Sequence, residues 1–87
     1  MRLLVVFSHP CPESYGAALF DTTCRTLRAA GHDLRCHDLY AENFNPVLST
    51  EERRDYLTNT AAIIAKHPDH VENLQWAEGL IVIYPTW

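Results

Sequence analysis

Two short stretches constrain the fold more than anything else in this chain: Leu3-Leu4-Val5-Val6-Phe7 near the start and Leu80-Ile81-Val82-Ile83-Tyr84 near the end. Each is five apolar residues without a polar interruption. That is far short of the ~18 residues needed to cross a membrane, and it lacks the alternation of a strand with one wet face. Continuous, β-branched runs of this length are the mark of strands covered on both sides, which in practice means a parallel sheet with crossover helices on its two faces.

The intervening sequence supplies those crossovers. After the first run, Pro10 and Pro12 hold residues 8–13 out of a helix. Ser14 is placed to cap a helix whose Ala17, Phe20, Cys24 and Leu27 recur at intervals of three and four, and Gly31 is placed to end it in a left-handed conformation. Residues 33–39 alternate, with Leu34 and Cys36 on one face and Arg35 and His37 on the other, which predicts a half-exposed strand near a sheet edge. Residues 38–46 carry no period and read as an ordered loop, with Asp38 capping the turn at Tyr40. Ser49 and Glu52 form the S-x-x-E pattern of a capping box, opening a helix through about Thr58. Residues 61–65 add a helical turn or two before Pro68, and 69–77 carry Val71, Leu74 and Ala77 at helical spacing, with Gly79 as the stop.

The pattern β-α-β-(α)-α-β is an α/β arrangement of parallel strands with right-handed crossovers. The two most apolar strands should be neighbours and the alternating strand should lie outside the first, giving the order 2-1-3. The direction of winding then reverses at strand 1, and ligands of such sheets bind beyond the carboxyl ends of the strands at that reversal. Residues 8–16 and 85–87 are expected to converge there.

Composition excludes several functions. The 87 residues make one domain, 1–87. Seven Lys and Arg against eleven Asp and Glu leave a net charge of −4, without the basic face that nucleic acid or anionic lipid requires. No nucleic-acid partner and no membrane insertion are expected. The opening apolar stretch is too short, and too abruptly broken at Ser8-His9-Pro10, for a secretory signal. Cys11, Cys24 and Cys36 form no CxxC pair and read as free thiols in a reducing cytoplasm. Neither His9 with Cys11 nor Cys36 with His37 has the spacing of a closed metal site, so no metal is expected.

Of the two converging segments, the first ends at a helix N-terminus, where unpaired amides and the helix dipole favour an anion; Ser14 adds a hydroxyl and His9 an imidazole. The simpler role for Ser14 is an N-cap alone, and for His9 a loop residue bonded to nearby backbone. The second segment brings Tyr84, Pro85, Thr86 and Trp87, enough to shape a slot for a flat ring, although an aromatic after a strand more often fills a core. Together the two suit a phosphorylated aromatic cofactor. With only Gly16, Gly31 and Gly79 in the chain, the G-x-G-x-x-G dinucleotide fingerprint is absent, and so is the Walker A loop. Flavin mononucleotide, or the flavin end of FAD, remains the best match.

Ser8-His9-Pro10, Ser14-Tyr15, Gly31-His32, Asp38-Leu39-Tyr40-Ala41, Phe44-Asn45-Pro46-Val47-Leu48 and Tyr84-Pro85-Thr86-Trp87 resemble the NAD(P)H:quinone oxidoreductases. This family includes the modulators of drug activity and the ancillary subunits of potassium-efflux systems. The resemblance implies a flavodoxin-like doubly wound parallel sheet, present here in part and missing the later strands. It implies noncovalent FAD or FMN, a homodimer, and two-electron reduction of quinone-like acceptors by hydride transfer from NAD(P)H through the flavin. Carried over residue by residue, it places His9, Ser14, Tyr15 and Gly16 around the flavin phosphates and Pro85, Thr86 and Trp87 at the isoalloxazine ring. Many members carry Asn where this chain has Gly16. The tyrosine and histidine proposed to assist hydride transfer in some members would fall beyond Trp87, so no catalytic residue is named, and the 87-residue chain alone is expected to be inactive. The alternative is an inactive half-domain, or an interaction module that retains only the fold. A receiver-like domain shares the architecture but wants an acidic cluster where Ser8-His9 stand.

Overall fold

The structure, a computed structural model, describes residues 1–86; Trp87 lies outside the described residues. Strands β1 (Arg2–Phe7), β2 (Asp33–Asp38) and β3 (Gly79–Ile83) form one parallel sheet in the order β2-β1-β3, the 2-1-3 order expected from the sequence. Helix α1 (Tyr15–Ala29) crosses from β1 to β2, while α2 (Thr50–Asp55), α3 (Thr60–Lys66) and α4 (Pro68–Trp76) lead from β2 to β3.

The apolar run of β1 becomes the core because it sits in the middle, with Leu4 1% and Val5 0% exposed. Leu3, Val5 and Phe7 point to one face and Leu4 and Val6 to the other, since side chains alternate along a strand. Helix α1 covers the first face: the Phe7 and Phe20 rings stack at 4.7 Å, and Cys24 Sγ lies 3.5 Å from Cys36 Sγ, on the β2 residue level with Val5. Helix α4 covers the second, where Asn73 reaches both Arg35 and His37 on β2.

Helix ends follow their local chemistry. Gly31 adopts φ 89°, and the amides of Gly31 and His32 donate to the carbonyls of Arg28 and Leu27, closing α1 with a Schellman pair. At α2 both capping-box bonds form, Glu52 N to Ser49 Oγ at 3.1 Å and Ser49 N to Glu52 Oε1 at 3.2 Å.

Three local readings are corrected. Helix α2 ends at Asp55 instead of continuing to Thr58, because the chain turns there, with the Thr58 and Asn59 amides both donating to the Asp55 carbonyl. Helix α4 ends at Trp76; Ala77 is already extended, and Gly79 begins β3, where a Cβ would stand 2.7 Å from Leu3 Cδ2. β2 is the half-exposed edge strand expected, but within its polar face only Arg35 stays half-buried, while His37 is 8% exposed because α4 lies across it. Helix α4 is anchored toward β2, which leaves Leu80 and Val82 of β3 about half exposed among the described residues.

Candidate functional site at the carboxyl end of β1

The β1 carboxyl end is flanked by two clefts, one toward β3 and one toward β2. The Ser8 amide donates to the Ile83 carbonyl at 3.0 Å, extending the β1–β3 pairing past the end of β1 and holding the two following segments side by side. Beyond that bond opens a cleft of about 340 Å³, with Phe7, Leu19 and Ile83 as apolar walls and His9, Ser14, Tyr15, Gly16, Tyr84 and Pro85 around them. Of the two segments expected to converge, His9, Ser14, Tyr15 and Gly16 of the first and Pro85 of the second share this cleft.

One end of this cleft is the start of α1. Ser14 is its N-cap, and its Oγ accepts from the Ala17 amide at 3.0 Å. Capping uses a lone pair of that oxygen and leaves the O–H as a donor, so the capping and anion-binding roles coexist. The Tyr15 and Gly16 amides, the first two of the helix, have no intrahelical acceptor by geometry. The Cys11 amide donates to His9 Nδ1 at 3.0 Å, which puts the ring proton of neutral His9 on Nε2. Nearby, the Cys11 thiol donates to Glu13 Oε2 at 2.8 Å, and this bond, foremost, holds the Glu13 carboxyl below its ordinary value. At Gly16 a Cβ would stand 3.7 Å from both His9 Cδ2 and Ser14 Oγ, an ordinary contact, so the corner has room for a side chain there.

The other end is apolar and aromatic. Tyr84 is 65% exposed, Pro85 half-buried and Thr86 exposed outside the cleft. Trp87, expected at the ring, lies outside the described residues.

The second cleft, about 520 Å³, is walled by Leu39, Tyr40, Phe44 and Pro46 and touches Ser8. Its loop is built by Asp38, whose Oδ1 accepts from the Ala41 amide at 3.2 Å, by Asn43 at φ 53°, and by the Phe44 amide bonded to the Leu39 carbonyl. The aspartate turn was legible in the sequence; that the loop forms a wall beside Ser8 was not, because the Leu39 amide closes it onto the Phe7 carbonyl across the sheet at 2.9 Å. Sequence spacing also missed the meeting of His37, Glu42 and His70, which come from three different elements.

The profile of the flavodoxin-like fold family matches residues 1–87, and the chain belongs to that family. It is 29% identical over 102 residues to the ribosyldihydronicotinamide dehydrogenase-like protein traD of Penicillium crustosum, with all of this chain and 38% of that protein aligned. It is 30% identical over 88 residues to an uncharacterized NAD(P)H oxidoreductase of Haemophilus influenzae, covering 100% of this chain and 43% of that protein. The solved NAD(P)H:quinone oxidoreductase from Methanothermobacter marburgensis superimposes with a TM-score of 0.83 at 28% identity, over 100% of this chain and 45% of that one. The chain thus spans less than half the length of these relatives. No helix among the described residues is long and apolar enough to cross a membrane.

Proposed function

We propose that this chain is the amino-terminal half of a cytoplasmic, homodimeric, flavin-dependent NAD(P)H:quinone oxidoreductase. The observation that carries the proposal is the β3-side cleft at the β1 carboxyl end, where the start of α1 and the segment after β3 face each other. The donors at one end suit a phosphate and the apolar walls at the other a flat ring, and a volume near 340 Å³ lies within the range of small-molecule sites. The residues present therefore fit a noncovalent FMN or the flavin end of FAD.

When bound, the flavin supplies the hydride chemistry between NAD(P)H and a quinone-like acceptor. The residues of this chain bind and orient it. The Ser14 hydroxyl and the Tyr15 and Gly16 amides donate to phosphate oxygens, with the α1 dipole favouring their charge. His9 adds an Nε2–H on the same side. The family resemblance assigns Pro85, Thr86 and Trp87 to the isoalloxazine ring, and of these Pro85 lines the cleft. Because the aligned relatives are more than twice as long, the 87-residue chain is expected to bind flavin without turning over.

Fluorescence titration of the chain with FMN and with riboflavin, alongside an assay of NADH and NADPH oxidation with a naphthoquinone, tests the proposal. FMN binding at least about tenfold tighter than riboflavin is expected, since a charged hydrogen bond contributes ~1.5–3 kcal/mol. Equal binding of the two, or none, would overturn it. The half-exposed apolar face of β3 favours a second reading, an interaction module without flavin, which a colourless oligomer on gel filtration would support.

A further inference from the structure

On the α4 side of the sheet three side chains from three elements meet. His37 comes from β2, Glu42 from the turn that follows it, and His70 from α4. His37 Nδ1 lies 2.8 Å from Glu42 Oε2, and His70 Nε2 lies 2.9 Å from Glu42 Oε1. The two imidazole rings stack at 4.2 Å with 26° between planes, and one ligand atom from each of the three residues falls within 4.8 Å of the others. Their side chains are 10%, 33% and 28% exposed, so the cluster is anchored inside and open at one side.

We propose that His37, Glu42 and His70 form a binding site for a divalent transition-metal ion of the zinc type, with a fourth position open to water. Two imidazoles and one carboxylate match zinc or cobalt, and the donor set is too nitrogen-rich for magnesium or calcium. Bonds of ~2.0–2.1 Å to one ion place ligand atoms roughly 3.3 Å apart. The widest pair therefore closes by no more than about 1.5 Å, a movement available to the partly exposed His70 and Glu42.

The surrounding hydrogen bonds set the strength of the site. Arg35 Nη1 donates to Asn73 Oδ1 at 2.9 Å, and arginine only donates, so the Asn73 amide must present its NH₂ to His37 Nε2, 2.7 Å away. Without a metal, His37 therefore keeps its proton on Nδ1 and donates it to Glu42. An ion bound at Nδ1 moves that proton to Nε2, and His70 likewise shifts its proton from Nε2 to Nδ1; no net proton leaves. Asn73 then has to turn its amide to accept from His37, which costs the bond to Arg35, while Arg35 keeps its place over the Trp76 ring at 4.2 Å. An acceptor-only group at position 73 removes this conflict, because a carboxylate accepts from Arg35 and from His37 Nε2–H together, as carboxylates behind metal-bound histidines do. Bound metal would tie β2, α4 and the loop of the second cleft to one point.

Titration of the purified protein with Co²⁺, followed by its visible absorption and by displacement with Zn²⁺, tests the site. One equivalent of cobalt bound and displaced by zinc is expected, with affinity about tenfold or more weaker in His70→Gln and about tenfold or more tighter in Asn73→Asp. His67, paired with Glu52 at 3.9 Å, is not a ligand, so His67→Gln should change nothing. Failure of cobalt to saturate at one equivalent, unchanged affinity in His70→Gln, or an Asn73→Asp protein that binds no tighter overturns the proposal.

Discussion

Ser14 is asked to do two things at once, and two substitutions separate them. Its Oγ caps α1 through the 3.0 Å bond from the Ala17 amide, and its O–H is proposed to donate to a flavin phosphate. Ser14→Ala removes both. Losing the cap costs about 1 kcal/mol, or roughly 4–8 °C in Tm for a domain of this size. Losing a charged hydrogen bond of ~1.5–3 kcal/mol weakens FMN binding about 10- to 100-fold. Ser14→Asp keeps the cap, since aspartate caps as well as serine and adds a favourable charge at the helix start, so Tm without ligand stays at or slightly above wild type. It sets a carboxylate against the phosphate, however, and FMN affinity should fall more than about tenfold while riboflavin affinity holds. Thermal melts without ligand and fluorescence titrations with both flavins read the two effects independently. A Ser14→Asp protein that binds FMN like wild type would refute the phosphate assignment; one that melts as low as Ser14→Ala would refute the cap.

Gly79→Ala brings a Cβ 2.7 Å from Leu3 Cδ2. Overpacking of ~1–3 kcal/mol, less ~0.4–1 kcal/mol from a stiffer unfolded chain, leaves a net loss of about 1 kcal/mol by urea denaturation, and a loss that persists unchanged beside Leu3→Ala would contradict the contact. Gly16→Ala, whose Cβ meets nothing closer than 3.7 Å, should raise stability by about 0.5–1 kcal/mol in the same assay. Glu42 titrates below its ordinary 4.5 in the folded chain, so its contribution is present above that pH and is lost as pH falls through the depressed folded value; Glu42→Gln should flatten that part of an acid stability profile. Burial, then the bond to Cys36, pushes Cys24 up to about 11 from 9.0. Folded protein therefore holds the proton longer than unfolded, and stability should decline as pH rises from 9.0 to about 11, with Cys24→Ala removing that part of the slope.

What could be read from the sequence was what neighbouring residues decide among themselves. Gly31 ends α1 because a left-handed residue is needed there, Ser49 and Glu52 open α2 because each satisfies the other's backbone, and residues 3–7 form the central strand because nothing polar interrupts them. The cleft holding His9 and Pro85 followed from topology, since the order 2-1-3 brings those loops to one end. Arg35 and His37 went the other way. Their alternation with Leu34 and Cys36 looks like a wet edge, yet α4 covers them in part: Asn73 bonds both, Trp76 lies under the Arg35 guanidinium, and His37 is buried. Residue spacing carries no record of which helix lands on which strand. The same limit hid the meeting of His37 and His70, 33 positions apart in the chain, and carried α4 on to Ala77, one residue past its end at Trp76, where helical period and an incoming strand read alike.

Backbone amide shifts in nitrogen-15-labelled protein, titrated with FMN and then with riboflavin, probe the cleft at both ends in one experiment. The predicted outcome is that FMN moves the Tyr15, Gly16 and Tyr84 signals together, while riboflavin moves Tyr84 and leaves Tyr15 and Gly16 in place. Shifts from FMN confined to Tyr40, Asn43 and Phe44, with the first turn of α1 untouched, would contradict it.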